Sequence, residues 1–257
     1  MGPWSRAHRV AIANVKAAFP RKSEPEVAVL LGGMWDNFGQ QMAEYAFLDR
    51  FSHELRDPQS QRVLIDAQTR ALLAQIRDSG RPVLFYTAHL ANWELLPAMA
   101  FAHGLRAGWL FKPLPSAAIE RSVVAMREKL MGSLIPARPG AAARLAQFLR
   151  SGSSVGMLAD QHFIDGVNVV FFGRPCSVNP TLARLARAFE CPIHGARAIR
   201  LPDGRFQLEL TNALELPRDD KGTVDVLATM QAITWTVETW VREHPEQWFW
   251  MHRRWRS

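Results

Sequence analysis

The run at residues 83–87, Val-Leu-Phe-Tyr-Thr, constrains the fold more than any other part of the chain. It is rich in β-branched and aromatic residues, too short for a core helix, and preceded by the turn pair Ser79-Gly80, so it reads as a buried strand. A helical pattern at 66–78 leads into it and a helix beginning near Ala91 follows it. Helix, strand, helix is the opening of an α/β alternation, and the rest of the chain continues it. A strand is expected near 107–111, helices near 117–131 and 141–150, and strands at 155–158 and 167–172. A helix opened by Asn179-Pro180 follows, then strands at 193–201 and 206–210 around the Asp203-Gly204 turn. The expected fold is α/β, with a central mixed sheet flanked by helices in a single domain over 1–257.

The ends of the chain are less regular. Ser23 and Glu26 have capping-box spacing, which predicts a long helix from about 25 to 51, with Gly32-Gly33 marking a close helix contact. Residues 1–20 have Val10, Val15 and Phe19 among their apolar positions and Arg6, Arg9 and Lys16 among their basic ones. Such a helix can lie on anionic lipid or pack on the domain with a solvated basic edge, so the N-terminal helices, about 1–56, are the candidate membrane-facing part. Near the other end Val226, Met230, Ile233, Val237 and Trp240 follow helical spacing and predict a core stripe.

Charge and cysteine content narrow the function. A net charge of +7 and a pI near 10.1 favour acidic partners: phospholipid headgroups, phosphorylated glycolipids, acidic carrier proteins or nucleic acid. Cys176 and Cys191 form neither a CxxC pair nor a disulfide framework, which points to a reducing compartment and away from a cysteine zinc site. No stretch reaches the ~18 apolar residues of a membrane span.

The strand at 83–87 runs into His89, and Glu94 stands five positions further on. With 8 His and 24 Asp plus Glu, about one such pair arises by chance, so spacing alone is weak. Position is the stronger signal, because α/β proteins bind ligands beyond the carboxyl ends of their strands. Five residues of α-helix turn through about 500°, which would point the two side chains apart. His89 is therefore expected in the turn and Glu94 about one turn into the helix, reaching back to fix the ring tautomer. A neutral imidazole so held can take a proton from a hydroxyl attacking a thioester, with helix-start N–H groups holding the oxyanion. The competing structural reading is a capping histidine and a glutamate at a helix N-terminus.

Residues 87–94, Thr-Ala-His-Leu-Ala-Asn-Trp-Glu, resemble the H-x4-D/E motif of glycerolipid-type acyltransferases, particularly the bacterial lipid A biosynthesis (late) acyltransferases. The resemblance covers most of the chain. Residues 14–20 look like the family's segment before its first soluble helices, and Leu110-Phe111-Lys112-Pro113 resembles its Tyr-Arg-Pro strand, with lysine in place of the usual arginine. Leu158-Ala159-Asp160-Gln161 resembles its Ala-Asp-Gln block, Phe171-Phe172-Gly173-Arg174-Pro175 its Phe-Phe-Gly-Arg-Pro block, and residues 245–255 its C-terminal signature. The resemblance implies transfer of a fatty acyl chain from acyl carrier protein or coenzyme A to a glycolipid hydroxyl at the cytoplasmic face of the bacterial inner membrane, with lipid A precursor as the first acceptor and a lysophospholipid, ornithine lipid or phosphatidylinositol mannoside as alternatives. It implies His89 as general base with Glu94 as its catalytic partner, and Arg127, Asp160 and Arg174 as substrate-binding residues. It implies no cofactor and no metal. The family usually carries an N-terminal membrane-spanning helix, so the expectation here is peripheral attachment or a shortened start.

Other readings compete. The tail 248–256 interleaves indoles with cations, which suits a membrane interface, base stacking or packing on the domain. Nucleic acid is not an expected partner, because no helix-turn-helix, ribonucleoprotein or zinc signature accompanies the charge. Gly152-Ser153-Ser154-Val155-Gly156 fits G-x-S-x-G with Asp160 and His162 downstream, but a helix is expected before it and a strand after it, the reverse of a nucleophile elbow. A metal held by His89, Glu94 and His162 is conceivable, but thioester cleavage by an alcohol needs none.

Overall fold

The computed structural model describes residues 5–255 of the chain. In order these form α1 (Arg6–Ala18), α2 (Glu24–Glu44), a 3-10 turn (Tyr45–Phe47), α3 (Leu48–Glu54), β1 (Val63–Ile65), α4 (Ala67–Ser79), β2 (Leu84–Thr87), α5 (Leu95–Ala102), β3 (Ala107–Phe111) and α6 (Ala117–Met131). Then come β4 (Ser133–Pro136), α7 (Ala141–Arg150), β5 (Ser154–Leu158), β6 (Val167–Phe171), β7 (Arg174–Val178), α8 (Thr181–Phe189), β8 (Ile193–Arg200), β9 (Phe206–Ala213), α9 (Val226–Glu243) and a 3-10 turn (Pro245–Gln247).

Seven strands form one sheet in the order β1-β9-β8-β2-β5-β3-β4, while β6 and β7 pair separately as a hairpin. All neighbours in the large sheet are parallel except β8 and β9, so the sheet is mixed, as expected. The run at 83–87 supplies the central strand β2, whose four residues are all buried because helices cover both faces of the sheet. Its side chains alternate between two cores. Leu84 and Tyr86 join α1, α2, α7, α8, α9 and the tail, whereas Phe85 packs with Phe51, Leu73, Leu95 and Met99 on the side of α3, α4 and α5.

The ends of several elements differ from the sequence reading. Ser23 donates to Glu26 through both its N–H (2.8 Å) and its hydroxyl (2.7 Å), which fixes the start of α2 as expected. The helix nevertheless stops at Glu44 and not near 51, where a 3-10 turn re-aims the chain so that Leu48 and Phe51 reach the second core. A Cβ on Gly33 would lie 2.9 Å from the Glu246 Cβ, so that glycine marks a close contact with the tail, while Gly32 meets nothing. Helix α5 starts at Leu95 and not near Ala91, because Ala91 adopts a φ of +46° and gives its N–H to the Gln247 carbonyl (3.0 Å). Strands β1, β4 and β7 were not expected; β4 is an edge strand that ends on Pro136, where a missing N–H is tolerated.

Both α1 and the described part of the tail fold onto the sheet-and-helix core. Helix α1 buries Ala11, Asn14, Val15 and Ala18 and leaves Arg6, Arg9 and Lys16 exposed. The Asn14 amide donates to the carbonyls of Trp250 (2.8 Å) and His252 (2.7 Å), tying the first helix to the tail. Trp248 and Trp250 are fully buried among Phe171, Phe172 and Phe19, so these indoles are core and not an interface belt. Residues 1–4 and Arg256 of the segments read above lie outside the described residues. Among the described residues no helix is long and apolar enough to cross a membrane.

Candidate active site

The sheet register builds the site. Strands β2 and β5 are parallel neighbours with Thr87 opposite Leu158, and the Ala159 N–H closes the pairing on the Thr87 carbonyl (2.9 Å). Two residues beyond each strand end lie His89 and Asp160. His89 Nδ1 is 2.8 Å from Asp160 Oδ1, and the His89 main-chain N–H donates to Asp160 Oδ2 (2.8 Å). The Trp248 indole N–H donates to the same Oδ2 (2.7 Å). One buried carboxylate thus receives three N–H groups, two of them from His89. Burial by itself raises the Asp160 carboxyl, but the His89 ring, its hydrogen bonds and His252 outweigh that and hold it well below the usual carboxylate range.

These bonds choose the tautomer. With Nδ1–H donating to Asp160, Nε2 keeps its lone pair, and the Gln161 amide nitrogen lies 3.2 Å from it in position to donate. The ring is buried beside Trp93 (centroids 4.7 Å), His252 (5.4 Å) and Phe249 (6.0 Å). The tail holds this turn in place, since the Phe249 N–H donates to the His89 carbonyl (3.0 Å) and Leu90 bridges Trp248.

Glu94 has other partners. It stands at the residue before α5, and its carboxylate accepts from the Tyr45 hydroxyl (2.7 Å) and from Arg127 Nη2, which also donates to Tyr45 (2.6 Å). The expected bond from Glu94 back to the His89 ring is corrected: Asp160 holds Nδ1, because the open turn at Ala91 and Asn92 puts Glu94 outside the first helical turn and against the 3-10 turn at Tyr45 and α6. Burial pushes the Tyr45 hydroxyl above its ordinary value, helped by the Glu94 charge. For Arg127 burial acts the other way, but Glu94 and Tyr45 prevail and hold it above its ordinary value. Neighbouring Asn92, fully buried, caps the Glu94 N–H (3.2 Å) and donates to Glu44 (2.8 Å), which Arg200 also grips. The N–H groups expected to receive an oxyanion are largely committed, those of Ala91, Glu94, Leu95 and Leu96 each to an acceptor within the fold.

The structure therefore brings His89 together with Asp160, and Glu94 together with Arg127, as two adjoining clusters. Arg174 joins neither; it opens β7 beside the hairpin turn, exposed, with its guanidinium over the Trp255 ring (6.0 Å). The G-x-S-x-G match has a structural cause. Ser154 is buried at the start of β5 and its hydroxyl accepts from the Val83 N–H (3.1 Å), while a Cβ on Gly156 would lie 2.1 Å from the Trp109 ring. The possible metal trio is also corrected: among the described residues the ligand-type group is His89, Asp160 and His252, without Glu94 or His162.

Tyr45, Trp248 and His252 were missed as members of the site. His252 is pushed down to about 3, by burial first and by the His89 charge second. Its only sequence signal was a place inside a tail already read as aromatic.

Against this geometry the likeness to known proteins is specific. Residues 3–257 match the family described as bacterial lipid A biosynthesis acyltransferase. The chain is 25% identical over 260 aligned residues to the lipid A biosynthesis myristoyltransferase of Escherichia coli (strain K12), covering 98% of this chain and 75% of that protein. Nearly every residue of the chain thus lies within the match, including the two clusters at the ends of β2 and β5, and the chain belongs to the bacterial lipid A biosynthesis acyltransferase family as an O-acyltransferase.

Proposed function

We propose that this enzyme moves a fatty acyl chain from a thioester of acyl carrier protein or coenzyme A to a hydroxyl of a lipid A precursor, as a peripheral protein at the cytoplasmic face of the bacterial inner membrane. The observation that carries the reading is the His89 ring, held by Asp160 through Nδ1 with Nε2 left basic. The acceptor hydroxyl displaces Gln161 from Nε2 and gives its proton to the ring as its oxygen attacks the thioester carbonyl. The tetrahedral centre then collapses, the carbon–sulfur bond breaks, and the imidazolium returns the proton to the departing thiolate. Asp160 fixes the tautomer and stabilises the imidazolium, which makes it a positioning group for the base and not a direct substrate ligand.

Glu94 holds Arg127, and that guanidinium is assigned to the phosphate oxygens of an acceptor or donor. Arg174 offers a second, exposed cation for the same class of ligand. A net charge of +7 supports encounter with an anionic bilayer and with an acidic carrier protein or coenzyme A phosphates. The Escherichia coli relative is named for myristoyl transfer, so a saturated chain of that class is the first donor to offer.

The test uses the full chain with lipid A precursor as acceptor, acyl carrier protein and coenzyme A thioesters as alternative donors, and product mass as the readout. Acyl gain by the precursor is expected, lowered about 100- to 10,000-fold in His89→Ala. No acyl gain from either donor, or full activity in His89→Ala, would overturn the reading.

A further inference from the structure

We propose that His89, Asp160 and His252 form a site for a divalent transition metal of the zinc class, and that metal bound there shuts the enzyme down. The three residues each offer a ligand atom, and these atoms lie within 4.8 Å of one another. Two imidazoles and one carboxylate are the donor set that zinc takes with three protein ligands and one open position.

The site is built in two respects. Asp160 Oδ2 is already fixed by the His89 main-chain N–H and the Trp248 indole N–H, so the carboxylate is oriented as outer partners orient a metal ligand. His252 is the unspent group: both of its ring nitrogens are buried and neither closes a hydrogen bond, although the Asp160 main chain lies beside the ring. A buried polar atom left without a partner is costly, and a metal would satisfy it. Ligands around a tetrahedral zinc at about 2.1 Å stand about 3.4 Å apart, so the longest spacing must close by roughly 1.4 Å. The His252 ring packs on Trp248 and Phe249 but is held by no side-chain hydrogen bond, so metal binding would close that distance by a ring rotation with small shifts of those two neighbours.

Inhibition follows from proton bookkeeping at His89. If the metal takes Nδ1, the one ring proton moves from Nδ1 to Nε2 and the basic lone pair is lost. If it takes Nε2, the lone pair itself is occupied. Either way His89 cannot accept the acceptor's proton. The inhibition rests on His89 being the base; the binding does not.

Two readouts keep these apart. Cobalt(II) added to the metal-free full chain is expected to give the visible absorption of a four-coordinate site at one ion per chain, abolished in His252→Phe and in His252→Gln. Two variants guard against misfolding of either one, each checked by its circular dichroism. In the acyl-transfer assay micromolar zinc is expected to inhibit and excess chelator to restore the rate. Each His252 variant, scaled to its own rate in chelator, should need about tenfold more zinc or beyond for the same loss. Magnesium at equal concentration should do nothing, since it prefers all-oxygen sites. The absence of a one-ion cobalt site, or cobalt and zinc effects untouched by both substitutions, would overturn the proposal. A cobalt site lost in the variants but without zinc inhibition would uphold the metal site and overturn the shutdown, and would count against His89 as the base.

Discussion

The two carboxylates Asp160 and Glu94 are both buried, and only the short loop after β2 separates His89, the partner of the first, from the second, yet they are used in opposite ways. Asp160 receives only N–H groups from neutral or titratable donors and so leaves its charge directed at the His89 ring. Glu94 spends its charge on the Arg127 guanidinium, with the Tyr45 hydroxyl bonded to both. The difference is that between a carboxylate which holds the proposed base and one which locks two helices and a turn together. Sequence spacing favours Glu94 as the partner of His89, while the sheet register gives that place to Asp160.

The largest expected effect breaks the first cluster. Asp160→Asn keeps the shape but offers one acceptor oxygen to three N–H donors, so it should lower acyl transfer about 1,000-fold and also destabilise the fold. Measuring the rate well below the variant's melting temperature separates the two losses. An activity within tenfold of the natural chain would show that Asp160 does not govern the base.

Breaking the second cluster should act mainly on stability. Glu94→Ala leaves the Arg127 charge buried without its partner and should cost about 3 kcal/mol in denaturant unfolding. Tyr45→Phe removes only the hydroxyl bonded to both and should cost about 1 kcal/mol, with the rate changed by a few-fold at most. If Tyr45→Phe instead cost as much activity as Asp160→Asn, the division of labour between the clusters would be wrong.

The comparison extends to acid. The folded-state pKa of Asp160 is depressed, so its contribution to stability is complete above the unfolded value of about 3.9 and is lost as the pH falls below it towards the folded value. The unfolding free energy of the natural chain should therefore decline below about pH 4, more steeply than that of Asp160→Asn. Equal acid limbs in the two proteins would contradict the assignment of that charge. The smallest effect is expected at Arg174→Ala, which should shift stability by less than about 0.5 kcal/mol and raise KM for the phosphorylated substrate without changing kcat.

Much of the fold was legible because its signals are local. Strand β3 and helices α6 and α7 have the bounds their patterns predict, and Ser23 and Glu26 start α2 as capping residues. Strands β1 and β4 were not legible, since three or four residues carry little periodicity and are strands only by virtue of their neighbours in the sheet. The site divides in the same way. His89 could be found from its place after a strand, but its link to Asp160 spans 71 residues and arises only because β2 lies beside β5 with β3 and β4 displaced outward. One signal was present: Ala-His and Ala-Asp follow their strands at the same offset, so aligning the two strand ends pairs these residues at once. Tyr45 and His252 left no comparable trace. One is reached through the break in α2, the other through a tail whose aromatic pattern conceals where it folds.

The central claim is that Asp160, and not Glu94, sets the protonation of the His89 ring. Nitrogen-15 spectra of the histidine rings near neutral pH, with His89 assigned by its substitution, report that directly. The natural chain and Glu94→Gln should both show His89 protonated at Nδ1 with Nε2 free, while Asp160→Asn should lose that preference. A ring tautomer that changes in Glu94→Gln and persists in Asp160→Asn would contradict the account.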